Sequence, residues 1–319
     1  VQRNIGDVAS KGLTENGTFY YKAAYDLSGI WVDKFNPERS TLVRQPMPIM
    51  QNGVRVHPAG YPQWSHDSEW VAFLGLQDEN QHVLSLWSPS RNEIRDIPLP
   101  HSFFGIGWFS DGKSVYLHRW PWGGENVEVW KLDVETKDLV RLIDDLDGYP
   151  GVFSADQSSF LYRKVKGERT LIAMRNLQTR EEKEVFSLAG TNWCSFSLSP
   201  DGEELAVEFD DKEANASVIH VVSLSQGQEP REILRMPKLN AISSVSWESA
   251  GESIFYVSNS TLWSISSAGG EPHKVYDFDP NPSRYSINPA GNRIAFSSRG
   301  RRHELWALEN FLPKNWKSQ

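Results

Sequence analysis

Residues 118–124 read His-Arg-Trp-Pro-Trp-Gly-Gly. An imidazole, a guanidinium and two indoles on so short a stretch could stack on a sugar ring or anchor a peptide, with Arg119 supplying charge. A proline between the indoles and two closing glycines mark a loop, where two Trp side chains are hard to bury completely. The competing reading is packing, with Trp120 and Trp122 folded over a neighbouring rim of the protein. Two upstream segments, HPAGYPQW at 57–64 and LPHSFFGIGW at 99–108, extend the candidate set. The expected binding residues are therefore His118, Arg119, Trp120 and Trp122, together with His57, Tyr61, His101 and Phe103.

Catalytic groups are harder to find. His57, His101, His118 and His303 fall in variable segments, but none stands in an H-x-H or H-x-x-x-H spacing, so no metal site is assigned. A G-x-S-x-G nucleophile elbow is missing. Gly269-Gly270 lacks the Lys and the helix that a phosphate loop needs. No catalytic residue and no cofactor follow from the sequence, and a binding protein is favoured over an enzyme.

The elements that must position the candidate loop come from a repeat. LSPDGEELAV at 198–207 combines a short strand, a tight Ser199-Pro200-Asp201-Gly202 turn and a second strand. Related stretches are WSHDSEWVAF (64–73), WFSDGKSVYL (108–117), VFSADQSSFL (152–161), WESAGESIFY (247–256) and INPAGNRIAF (287–296), with a worn copy, LTENGTFYY, at 13–21. The positions matching Ser199 are Thr14, Ser65, Ser110, Ser154, Glu248 and Asn288, giving spacings of 51, 45, 44, 45, 49 and 40 residues. A period of about 40–50 residues of alternating strands is that of a propeller blade.

The expected fold is all-β, a β-propeller of seven four-stranded blades, with six as the alternative. Expected blades are 9–50, 51–98, 99–143, 144–188, 189–236, 237–278 and 279–313, in a single domain with a tail at 314–319. Residues 1–8 are expected to close the ring by completing the last blade, which hides open edges. Third-strand residues Trp31, Trp87, Trp130, Trp263 and Trp306 fit the space between blades. The repeated Asp67, Asp111, Asp156 and Asp201 stand one per blade, too far apart to share a metal. Pro200 and Gly202 supply the φ values of a tight turn, and Asp201 can bond its own backbone.

The W-S-x-D-G unit followed by an apolar strand resembles the TolB-like propeller repeat, best at 64–73, 108–117 and 198–207. The opening GTFYY…GIWVDKFNPE (17–38) and the closing ELWALENFLP (304–313) are similar to a bacterial group of such propellers. In that group the propeller often follows a signalling or DNA-binding module and a membrane segment. The resemblance implies an interaction or sensor domain of a larger bacterial protein, periplasmic or extracytoplasmic. The partner expected at the variable loops is a protein, peptide or glycan. A metal-dependent polysaccharide lyase or glycoside-active propeller is the alternative.

Composition narrows the classes further. A net charge of −8 over 319 residues argues against nucleic acid as a partner. One cysteine, Cys194, rules out an internal disulfide framework. No stretch is long and apolar enough to span a membrane, and no signal peptide is evident. Opening on Val1 suggests a processed protein or an excised domain, expected to be monomeric.

Overall fold

The repeated turn shows how the residues make the element. In the computed structural model, which describes residues 7–309 except 15–16, 27–28, 37–38, 44–53, 57–60, 78–80, 123, 125, 190–192, 226, 241, 279–281 and 299–300, the Ser199 hydroxyl donates to Asp201 Oδ1 at 2.5 Å. It also accepts from the Glu204 backbone N–H at 2.9 Å. Asp201 in turn accepts the Glu203 N–H at 3.0 Å. Asp67, Asp111 and Asp156 do the same within their own turns, through Glu69, Lys113 with Ser114, and Ser158. The aspartates are turn-formers, as their spacing around a ring implies. Gly202 takes φ 78°, and where the repeat lacks glycine, Ser68 and Gln157 adopt φ 60° in the same place. A non-glycine residue there costs roughly 1–2 kcal/mol, which the turn's hydrogen bonds offset.

The fold is an all-β propeller. Strands pair antiparallel throughout, and among the described residues the one helical element is the 3-10 turn Lys238–Asn240. The described residues form seven sheets, the number expected. Four contain consecutive strands, spanning 105–146, 149–189, 194–237 and 242–277. The 54–98 sheet has an extra short strand, Gln63–Trp64, beside Val71–Gln77. A sixth joins the two ends of the chain in the order Pro282–Ile287, Arg293–Ser298, Gly29–Asn36, Arg39–Val43. The seventh has three strands, Asp7–Leu13, Phe19–Asp26 and Arg301–Leu308.

Six of these sheets form a closed succession, because a separate apolar cluster bridges each adjacent pair. Phe103, Ile106 and Leu117 pack against Leu74 and Leu84 of the preceding blade. Phe153 and Phe160 meet Phe109 and Tyr116. Val207 and Val218 meet Leu161 and Ile172, and Ile254 and Tyr256 meet Ile219 and Val221. The circle closes where Phe296 packs on Tyr276, and Ile30 with Ala295 on Phe73 and Trp87. Burying about 1.5–3 kcal/mol per large side chain at every interface, with no open ring edge, stabilises the closed form.

Ring closure uses the N-terminal part of the chain. Gly29–Asn36 and Arg39–Val43 complete the last blade, while Asp7–Leu13 pairs with Phe19–Asp26. Residues 1–6 of the expected closing strand lie outside the described residues. The cause is register. The pairing of Gly29 with Ser298 through Lys34 with Arg293 continues without a shift into Asp26 with Arg301 through Phe19 with Leu308. The first and last repeats thus share one long two-stranded ribbon, and its outer part makes the three-stranded sheet. Trp87 is accordingly buried in an interface, whereas Trp306 on the ribbon is 43% exposed.

Candidate binding site at the channel mouth

Each inner strand starts at the face opposite the Ser-x-Asp turns, and these starts converge on a cavity of about 390 Å³. Tyr61, Phe104, Tyr149, Trp193 and Arg284 are delivered by five different blades, with Arg163 from a neighbouring second strand. Small residues make room for them. A side chain at Gly151 would run into the Leu161 carbonyl, and one at Gly105 would meet the His118 ring, so both inner strands lie close against their partners.

Arg163 is the unusual group. It is 3% exposed, with its guanidinium 4.1 Å from the Tyr149 ring centre and 4.0 Å from that of Trp193. Its Nη1 has no hydrogen-bond partner, and burial pushes the guanidinium pKa down. Arg284 lies over Tyr61 at 5.1 Å and donates to the Ser283 carbonyl at 2.9 Å. Ser195, on the same wall, donates at 2.8 Å to Glu208, which is 3% exposed. Burial pushes the Glu208 carboxyl up to about 7. The same cause raises the Cys194 thiol to about 12, so this wall residue is a protonated thiol rather than a nucleophile.

The sequence candidates divide. Tyr61 and His118 line the cavity. Trp120 reaches its rim, in a T-shaped contact with Tyr149 at 6.0 Å and a tilted one with Phe104 at 6.4 Å. Its indole N–H donates to the Gly124 carbonyl at 3.1 Å. Trp122 projects fully into solvent. Arg119 pairs with Glu128 at 2.7 Å, and Glu128 also accepts from Trp130 and Arg141, so that guanidinium is already engaged. Phe103 is core, and His101 packs on Phe103 and on Trp130 at 5.8 Å, away from the cavity. His57 lies outside the described residues.

His118 is not in the loop that the sequence suggests. It is the next-to-last residue of the strand Ser114–Arg119, 4% exposed, among Phe104, Tyr116 and Phe160. Neither ring nitrogen has a partner, and burial drives its pKa down to about 3, which keeps the imidazole neutral. Among the described residues no three His, Cys, Asp or Glu side chains come together to hold a metal ion.

Arg163 and Trp193 were missed for a physical reason. Arg163 follows Phe160, Leu161 and Tyr162 in a strand, and alternation alone cannot tell an inward arginine from a solvated one. Trp193 carried a usable signal. It stands six residues before the Ser199 turn, as Phe104 does before Ser110, where each inner strand begins.

No family model matches the chain, and no curated protein does. Solved structures are similar. A TolB from Acinetobacter baumannii aligns with TM-score 0.57 at 16% identity, over 85% of this chain. The alignment spans 64% of that TolB's length. A structure given as a TolB of Agrobacterium tumefaciens aligns with TM-score 0.61 at 14% identity, over 86% of this chain and 99% of the other. Oligogalacturonate lyase from Vibrio parahaemolyticus aligns with TM-score 0.50 at 12% identity, over 92% and 98%. At such identities the likeness is one of fold: this chain has a TolB-like β-propeller fold, which among its neighbours carries a TolB and a lyase alike.

Proposed function

We propose that the chain is a ligand-binding propeller without catalytic chemistry, the sensor or interaction domain of a larger bacterial protein. It takes a protein, peptide or glycan at the channel mouth. The observation that supports this reading is the cavity itself, in which four blades bring aromatic rings to a pocket that holds a buried, incompletely satisfied arginine. Aromatic groups on a rigid scaffold lose little entropy on binding, and their packing favours shape recognition. An extracytoplasmic location belongs to the same proposal and rests on the resemblance of residues 17–38 and 304–313.

The test is a peptide and glycan array read with the wild type, Trp120→Ala and Trp193→Ala. Selective capture lost in Trp193→Ala and weakened in Trp120→Ala is the expected result. Identical profiles for all three proteins would remove the channel mouth from consideration. A stoichiometric transition metal in the purified protein, lost on His118→Ala, would favour the saccharide-cleaving alternative instead.

A further inference from the structure

We propose that the channel mouth is a carboxylate site, in which the Arg163 guanidinium receives the carboxylate of a ligand whose carbon body is apolar. This inference rests on the binding reading above and names the ligand class. Two rings lie against the guanidinium, Tyr149 at 4.1 Å and Trp193 at 4.0 Å. Arg163 lines the cavity, and its buried Nη1 is without a hydrogen-bond partner. A guanidinium offers its donors in the plane, where a carboxylate can accept two of them in parallel.

Charge balance points the same way. A buried cation is costly without a counter-ion, and no carboxylate of the described residues figures among the groups acting on Arg163. Arg284 adds a second guanidinium to the same cavity. The carboxyl close behind the wall, Glu208, is held by the Ser195 hydroxyl rather than by Arg163. An incoming anion would therefore find two positive groups, inside a chain whose net charge is −8.

The wall selects the rest of the ligand. Phe104, Ile106, Val152 and Phe196 contribute apolar surface, and Ser195, a polar side chain there, already donates to Glu208. A uronate would leave ring hydroxyls unpaired against that wall, at about 1–3 kcal/mol each. Phosphate would surrender more hydration than the buried Arg163 and the partly exposed Arg284 restore. A volume of about 390 Å³ suits one aryl- or alkyl-bearing acid. Such a group could come from a free small carboxylic acid or from the C-terminal residue of a peptide.

Calorimetry and tryptophan fluorescence on the whole chain can decide this. The probes are 3-phenylpropanoate, N-acetyl-Gly-Phe as free acid, the amides of both, galacturonate and inorganic phosphate, each to millimolar concentration. The acids are expected to bind about tenfold or more tightly than their amides. Arg163→Met should abolish that preference while keeping its urea midpoint at or above the wild-type value, since a buried charge is removed. Tighter binding of phenylpropanoate than of the dipeptide indicates a free acid, and the reverse indicates a peptide terminus. Equal binding of acids and amides would overturn the carboxylate inference yet leave the binding reading intact. So would a preference for galacturonate or phosphate, or silence of every probe with array capture still dependent on Trp193. Silence of every probe with no array capture would overturn both.

Discussion

Replacing His118 by Leu should make the protein more stable at acid pH. The imidazole is 4% exposed, and neither nitrogen has a partner. Its folded pKa of about 3 lies below the 6.5 of the unfolded chain. Folded His118 therefore stays neutral where the unfolded chain takes up a proton, so its contribution is fully present above pH 6.5 and is lost as pH falls toward 3. Two pH units below 6.5, at 1.36 kcal/mol per unit, the wild type has lost about 2.7 kcal/mol by this route. Leu keeps most of the volume and has no proton to bind. At neutral pH the gain from removing unpaired nitrogens, about 1–3 kcal/mol, is set against ring contacts with Phe104, Tyr116 and Phe160 worth about 0.5–1.5 kcal/mol each. The decisive quantity is thus a difference of differences. Urea unfolding of both proteins two units below and one unit above pH 6.5 should show the variant's relative stability rising by about 2.7 kcal/mol on acidification. A change under about 0.5 kcal/mol would mean that His118 titrates normally, and the reasoning from its burial would fail.

Glu208 predicts the opposite slope. Its carboxyl is raised from 4.5 to about 7 by burial, so its contribution is present below pH 4.5 and lost as pH rises through 7. Glu208→Gln should remove up to about 3 kcal/mol of alkaline destabilisation, read as a higher urea midpoint at pH 8 with little change at pH 4. Gly151→Ala should destabilise the protein by about 1–3 kcal/mol or more, because the new methyl collides with the Leu161 carbonyl oxygen; an unchanged melting temperature would contradict the close strand approach. Trp122→Ala should leave the melting temperature unaltered, since the ring is fully exposed, and a clear drop in thermal unfolding would show that the indole is packed.

Local chemistry alone made the architecture legible. A turn that repeats every 40–51 residues is set by neighbours in the chain: Ser199 with Asp201 and Glu204, or Ser68 and Gln157 bending where glycine is missing. Alternation then carries the strands, and the variable face follows from the turns, which mark its opposite. Tyr61, His118 and Trp120 were found because they flank those turns' opposite ends. What pairs across the whole chain was not legible in the same way. That residues 29–43 close the last blade depends on the match of Gly29 with Ser298, a choice of register between segments over 260 residues apart. The packing of Arg163 against Tyr149 and Trp193 likewise joins one blade, in which Tyr149 pairs with Arg163, to the connection that follows it. Solvation of a side chain depends on its three-dimensional neighbours, and a strand pattern holds no information about them. The repeat determined where a site could be built, and only the closing of the ring decided which charge stands at its centre.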